Sequence, residues 1–108
     1  DEAWYPNGQK RFERSYVGGH REGVHRGFWE DGRVQFVRRY RNDVFDGEQL
    51  GFHRDGSRAE LLHYEAGREI GQQTIWRADG RVESNYSMLN GRRYGLVGRR
   101  DCVSIHAE

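Results

Sequence analysis

Glycine follows Asn or Asp at Gly8, Gly32, Gly56 and Gly80, each 24 residues beyond the last, and no other feature of the chain restricts its fold as much. An aromatic stands four residues before each of these glycines, at Trp4, Phe28, Phe52 and Trp76. Eight residues after each comes Tyr16, Tyr40, Tyr64 or Met88, and a second glycine column runs through Gly23, Gly47, Gly71 and Gly95. A short period that never slips means one small supersecondary unit per repeat, and a unit of that size buries its apolar side only by stacking on its neighbours. The expected organisation is one domain over 1-108. It comprises four hairpin repeats, about 1-22, 23-46, 47-70 and 71-94, and a C-terminal capping strand over 95-108.

The residues flanking each Asn/Asp-Gly pair read as strands, with apolar residues alternating at Val34, Phe36 and Tyr40. A two-residue turn at Asp31 and Gly32 would put Phe28 on a different face from that alternating column. A three-residue loop, Glu30, Asp31 and Gly32, in a type I turn with the glycine left-handed, pairs Phe28 with Val34 and Arg26 with Phe36, and gathers every apolar column on one face. Pro6 supports this loop, because its fixed φ suits the second position of a type I turn. The polar segments from Gly18 to Glu22, Asn42 to Asp46, Ala66 to Ile70 and Asn90 to Tyr94 read as connectors between hairpins. The fold class expected is all-β: a single-layer antiparallel β-meander of tandem 24-residue hairpins.

On this reading the inward columns are Trp4, Phe28, Phe52 and Trp76; Phe12, Phe36 and Leu62; and Tyr16, Tyr40, Tyr64 and Met88, joined by Val34, Val82 and Tyr86. Glu60 and Ser84 interrupt the Phe12, Phe36 column, which predicts a less well packed C-terminal half or a wetter groove there. Tyr5, Trp29, His53 and Arg77 face outward, as do His25, Gln49 and Gln73. Leu96, Val97, Cys102, Val103 and Ile105 suggest a last apolar strand covering the open sheet edge, where an unpaired strand would invite aggregation.

Charge bears on function by exclusion. The 18 basic and 17 acidic residues are mixed along the chain for a net charge of +1, so there is no one-sided field of the kind that nucleic acid or an anionic membrane selects. No run approaches the roughly 18 apolar residues of a membrane span. Cys102 is the only cysteine and forms no internal disulfide. The histidines His20, His25, His53, His63 and His106 lack metal-ligand spacing, so neither a metal nor a cofactor is expected. Ser104 and Cys102 lie near His106 in sequence, at a chain end where such proximity is accidental. Every glycine is accounted for by a turn or connector, which leaves no phosphate loop. No catalytic residue is assigned, and the chain does not read as an enzyme.

The openings Trp4, Tyr5, Pro6, Asn7, Gly8; Phe28, Trp29, Glu30, Asp31, Gly32; Phe52, His53, Arg54, Asp55, Gly56; and Trp76, Arg77, Ala78, Asp79, Gly80 resemble the MORN repeat superfamily. The resemblance is closer still to its bacterial variant in YwqK-type antitoxins and MORN-repeat lipoproteins, and it spans residues 4 to 98. It implies an elongated hairpin array, a MORN-like solenoid, used for protein binding or scaffolding. A structural lipoprotein domain of the bacterial envelope and a YwqK-type antitoxin are the alternatives. Asp43 departs from the glycine expected in its connector. The tail from Tyr94 to Val103 resembles that of exported members, which leans the location toward the periplasm or outer membrane, with a lipid anchor upstream of Asp1 as the matching expectation. The partner expected is a protein or a second copy of the chain. Tyr5, Trp29, His53, Arg77 and His25 are the candidate binding residues, because Trp, Tyr and Arg are the types enriched at binding hot spots.

Overall fold

A computed structural model describes residues 1–97. All four Asn/Asp-Gly turns have one geometry. The Gly32 N–H donates to Trp29 O at 2.9 Å and the Trp29 N–H donates to Arg33 O at 2.7 Å, and the same two bonds recur around Gly8, Gly56 and Gly80. The four glycines have φ of 90°, 93°, 91° and 89°, a left-handed backbone that costs a residue with a Cβ roughly 1 kcal/mol or more. The preceding Asn or Asp closes the loop from its side chain. Asp31 Oδ1 accepts the Arg33 N–H at 2.9 Å, and Asn7, Asp55 and Asp79 do likewise two residues on. This is the three-residue loop that the residues predict, and Phe28 pairs with Val34 as expected.

One step further from the turn the register departs from expectation. Gly27, not Arg26, faces Phe36, and Arg26 faces Val37, because Gln35 is an extra residue bulged out of the second strand. The same shift falls between Ala3 and Trp4, Gly51 and Phe52, and Ile75 and Trp76. A bulge bends its strand and raises the local twist, and here it also exchanges the faces. Since paired residues share a face and successive residues alternate, Phe28 and Val34 lie on one side. Phe36, Arg38 and Tyr40 lie on the other with His25 and Gly27. The apolar columns therefore do not share a face.

The expected passive connectors are hairpins as well. Gly18-Gly19, Asn42-Asp43, Ala66-Gly67 and Asn90-Gly91 each carry two successive positive φ values, such as 49° and 72° at Asn42 and Asp43, the signature of a two-residue type I′ turn. The strands are β1 (Glu2–Trp4), β2 (Lys10–Glu13), β3 (Tyr16–Val17), β4 (His20–Arg21), β5 (Gly23–Phe28), β6 (Val34–Arg41) and β7 (Val44–Phe45). They continue as β8 (Gly47–Phe52), β9 (Arg58–Glu65), β10 (Arg68–Glu69), β11 (Gly71–Trp76), β12 (Val82–Leu89) and β13 (Arg92–Leu96). The sheet runs β1-β2-β5-β6-β8-β9-β11-β12-β13, with β7 against β6, β10 against β9, and β3–β4 a separate pair. Every pairing among the described residues is antiparallel. With extents of 43 × 37 × 17 Å the molecule is a thin plate. Of the cap expected over 95-108, Gly95 and Leu96 belong to β13, Leu96 and Val97 are exposed, and the rest, Cys102 included, lies outside the described residues.

The core corrects the sequence reading most sharply. His25, Gln49 and Gln73, expected outward, are fully buried. Their position follows from a second register change, seen between Tyr40↔Phe45 and Val37↔Leu50, which opens a gap in the ladder beside Arg39. The Gln49 amide fills it: Oε1 accepts the Arg39 N–H and Nε2 donates to Arg39 O, both at 2.9 Å. Gln73 treats His63 identically, at 3.0 and 2.7 Å, and also donates to Ile70 O at 2.8 Å. A primary amide carries the donor and acceptor of a peptide group, so it substitutes for the missing strand residue. His25 does this less completely. Its Nε2 faces both Ser15 O (2.7 Å) and Ser15 N (3.2 Å), and its buried Nδ1 has no hydrogen-bond partner among the described residues.

Around these ties the aromatic rings of Tyr16, His25, Tyr40, Phe45 and Tyr64 follow one another at centroid distances of 4.7 to 5.5 Å. Leu62, Tyr64, Ile75 and Tyr86 form the core cluster, flanked by Phe45 and Met88. The C-terminal half is thus the better packed one, contrary to the first of the two expectations for it. Facing pairs set a small residue against a larger one, and run Ala3–Phe12, Gly27–Phe36, Gly51–Glu60 and Ile75–Ser84. A Cβ on Gly27 would run into the Phe36 ring, and where the second residue shrinks to Ser84, the first grows to Ile75. Trp4 (55% exposed), Tyr16 and Val82 were expected inward and are exposed. Trp4 sits on the terminal strand and Tyr16 in the outlying β3–β4 pair, so neither has a preceding repeat against it, while Val82 shares the opposite face with Trp76.

Candidate functional site

The face exchange places the column Tyr5, Trp29, His53, Arg77 on the side that holds the core, at the turn end of the sheet. Two of its members are latches between repeats. Tyr5 Oη donates to Phe28 O at 2.7 Å, and His53 Nε2 lies 3.2 Å from Trp76 O. Trp29 occupies the same place, half-buried, with its Nε1 shielded from solvent and without a hydrogen-bond partner among the described residues. Its ring is covered instead by the Arg54 guanidinium, 4.7 Å from the centroid. Arg77 is exposed and reaches toward Glu83, at 3.9 Å. His25 lies in the buried row further along the hairpin, so no partner reaches its ring directly.

Trp29 lines a groove of about 330 Å³ with Tyr5, Phe12, Phe36, Arg11, Arg14, Arg54, Glu30 and Gln35. Its floor is aromatic and its rim is cationic. Arg14 stacks 3.9 Å over Phe12 and Arg11 lies 5.8 Å from the Tyr5 centroid. Among the described residues neither guanidinium has a carboxylate within ion-pair distance. Arg54 reaches Glu30 only at 4.0 Å, with both side chains well exposed. Two repeats on, the corresponding groove of about 380 Å³ holds His53, Trp76, Arg77, Glu60 and Glu83. There the charges are met internally, by Arg38–Glu60 at 2.9 Å and Arg77–Glu83 at 3.9 Å.

Sequence reasoning singled out no individual arginine of this groove, only those surrounding Trp29, His53 and Tyr5, and it assigned Phe12 and Phe36 to the apolar core columns. A usable signal was the variation within columns. Positions 11, 35, 59 and 83 read Arg, Gln, Ala, Glu, and positions 6, 30, 54 and 78 read Pro, Glu, Arg, Ala. Columns that stay constant hold the frame, and those that change individualise one place on it.

Two other polar sites are structural. Asp43, which takes the place of a connector glycine, accepts the Arg21 N–H at 2.8 Å and lies 2.5 Å from His20 Nδ1. The Arg21 backbone bond first, and His20 next, hold its carboxyl down to about 2. It staples the second connector to the first. Burial pushes the Tyr64 hydroxyl up to about 12, and burial together with the bond to Glu69 Oε1 at 2.9 Å raises Tyr86. Among the described residues no group of three or more His, Cys, Asp or Glu side chains is placed to hold a metal ion, and no helix is long and apolar enough to cross a membrane. Comparison with protein-family models, with curated proteins and with solved structures returns no match.

Proposed function

We propose that this chain is a MORN-like tandem hairpin module that holds a protein partner in the turn-end groove and carries out no chemistry of its own. The observation that supports this reading is the makeup of the groove. Four aromatic side chains, Tyr5, Phe12, Trp29 and Phe36, share one depression with three arginines on a frame otherwise built from repeated contacts. Aromatic rings beside guanidinium groups are the composition of binding hot spots, and a plate one sheet thick presents such a depression to long, shallow ligands rather than enclosing a small one.

The test is quantitative affinity capture with the wild-type chain and with Trp29→Ala, alongside sedimentation of the chain alone at several concentrations. The expected result is one or more proteins retained by the wild type and lost with Trp29→Ala, or a self-association that the substitution abolishes. Identical capture and identical sedimentation for both chains would remove the groove from the function.

A further inference from the structure

We infer that the N-terminal part of the groove is a carboxylate-recognition subsite, made by Arg11, Arg14, Arg54 and the Trp29 indole N–H, for a short acidic stretch of an extended polypeptide. This rests on the protein-binding reading above and specifies the chemistry of the partner. The first observation is the donor balance. Arg11 and Arg14 are held against aromatic rings with no carboxylate partner among the described residues, and Arg54 is anchored by the Trp29 ring and only a distant Glu30. A guanidinium parked on a ring keeps its planar fork of N–H donors in a fixed orientation, and that fork matches a carboxylate in bidentate fashion.

The second observation is the buried Trp29 Nε1, which lacks an acceptor among the described residues where the equivalent Tyr5 and His53 side chains each reach a carbonyl of the next hairpin. An indole N–H is a donor only, and leaving it buried and unpaired costs about as much as a lost hydrogen bond. A ligand oxygen arriving beneath Arg54 would supply that acceptor.

The extent of the positive charge selects the ligand class. A polyanion such as a nucleic acid strand needs cations along its whole track, whereas here the unneutralised cations are Arg11, Arg14 and Arg54 around one depression, and the corresponding groove two repeats on is neutralised by Arg38–Glu60 and Arg77–Glu83. Glu30 on the rim also opposes a continuous run of phosphates. A peptide with carboxylates confined to a few residues and apolar side chains between them matches the aromatic floor and the short cationic rim together.

The experiment follows the indole N–H signals of Trp4, Trp29 and Trp76 by ¹H–¹⁵N NMR during titration with the capped hexapeptide Glu-Asp-Phe-Glu-Asp-Leu, with its Gln/Asn counterpart, and with a single-stranded oligonucleotide. The expected result is a saturable shift of the Trp29 signal with the acidic peptide alone. It should weaken with added salt and lose roughly tenfold in affinity for each of Arg14→Gln and Arg54→Gln. Arg54 is well exposed, so its variant keeps the fold, and an unchanged amide spectrum verifies this for both. No saturable shift, equal binding of the Gln/Asn peptide, unchanged affinity in the arginine variants, or a preference for the oligonucleotide would each overturn the inference. A captured partner that depends on Trp29 yet ignores salt and the arginines would overturn it too, while leaving the groove reading in place.

Discussion

The two halves of the plate share one frame and use it differently. In the C-terminal half, Leu62, Tyr64, Ile75, Gln73 and Tyr86 are buried together, and the amide of Gln73 closes the ladder gap completely. In the N-terminal half the matching places hold Arg14, Arg38 and His25, the ladder gap is closed by an imidazole that serves one group at a time, and the Arg14 and Arg38 guanidiniums rest on the half-buried Phe12 and Phe36 rings. The turns and bulges are the same in both. Stability is therefore concentrated where the inner residues are apolar or amide, and surface chemistry where they are arginine and aromatic.

The largest effect expected from this contrast is at one repeat position compared across the halves. Leu62→Ala removes a fully buried side chain from the core cluster and should cost about 3 kcal/mol in urea unfolding. Arg14→Ala, 48 residues earlier, should cost about 1 kcal/mol or less. Equal losses would erase the distinction. Next comes Gln73→Ala, which strips the buried His63 N–H and C=O of their side-chain partner and should cost about 2 kcal/mol. Slow amide exchange at His63 should disappear with it.

His25→Gln runs the other way. It gives the N-terminal half the amide that the other repeats already use, satisfies Ser15 N–H and C=O together, and removes the unpartnered Nδ1. A gain of about 1 kcal/mol, or about 5 °C in melting temperature, is expected. A loss would mean that ring packing against Tyr16 and Tyr40 outweighs the hydrogen bonds.

The smallest effect is one of pH. Asp43 has a folded value near 2, below the ordinary 3.8, so its staple stabilises fully above about pH 4 and is lost as pH falls toward 2. Asp43→Asn should differ from wild type at neutral pH and converge on it as pH falls through 2. At the alkaline end the raised Tyr64 value near 12 means that stability holds below about pH 10 and declines as pH rises through 12.

Much of the frame was legible in the residues because turn chemistry is local. A φ near 90° favours glycine, Asn or Asp caps the residue after it, and Pro6 fits one turn type, so the three-residue loop and the Phe28–Val34 pair follow without the fold. The bulges at Arg11, Gln35, Ala59 and Glu83 carry no such mark, since a residue pushed out of a ladder there needs no special side chain. Missing them inverted the faces for the rest of each hairpin. Gln49 and Gln73 were placed outside for a second reason: polarity predicts exposure except where a side chain replaces a peptide group. The groove escaped because Arg11 and Arg54 stand in columns whose residue type changes from repeat to repeat.

The side chains at 49 and 73 act as backbone within the ladder, and hydrogen exchange measured by NMR tests this most directly. The Gln49 and Gln73 side-chain NH₂ groups and the Arg39 and His63 amides should exchange as slowly as the core strands. Exchange of those NH₂ groups as fast as that of the exposed Gln72 would contradict it.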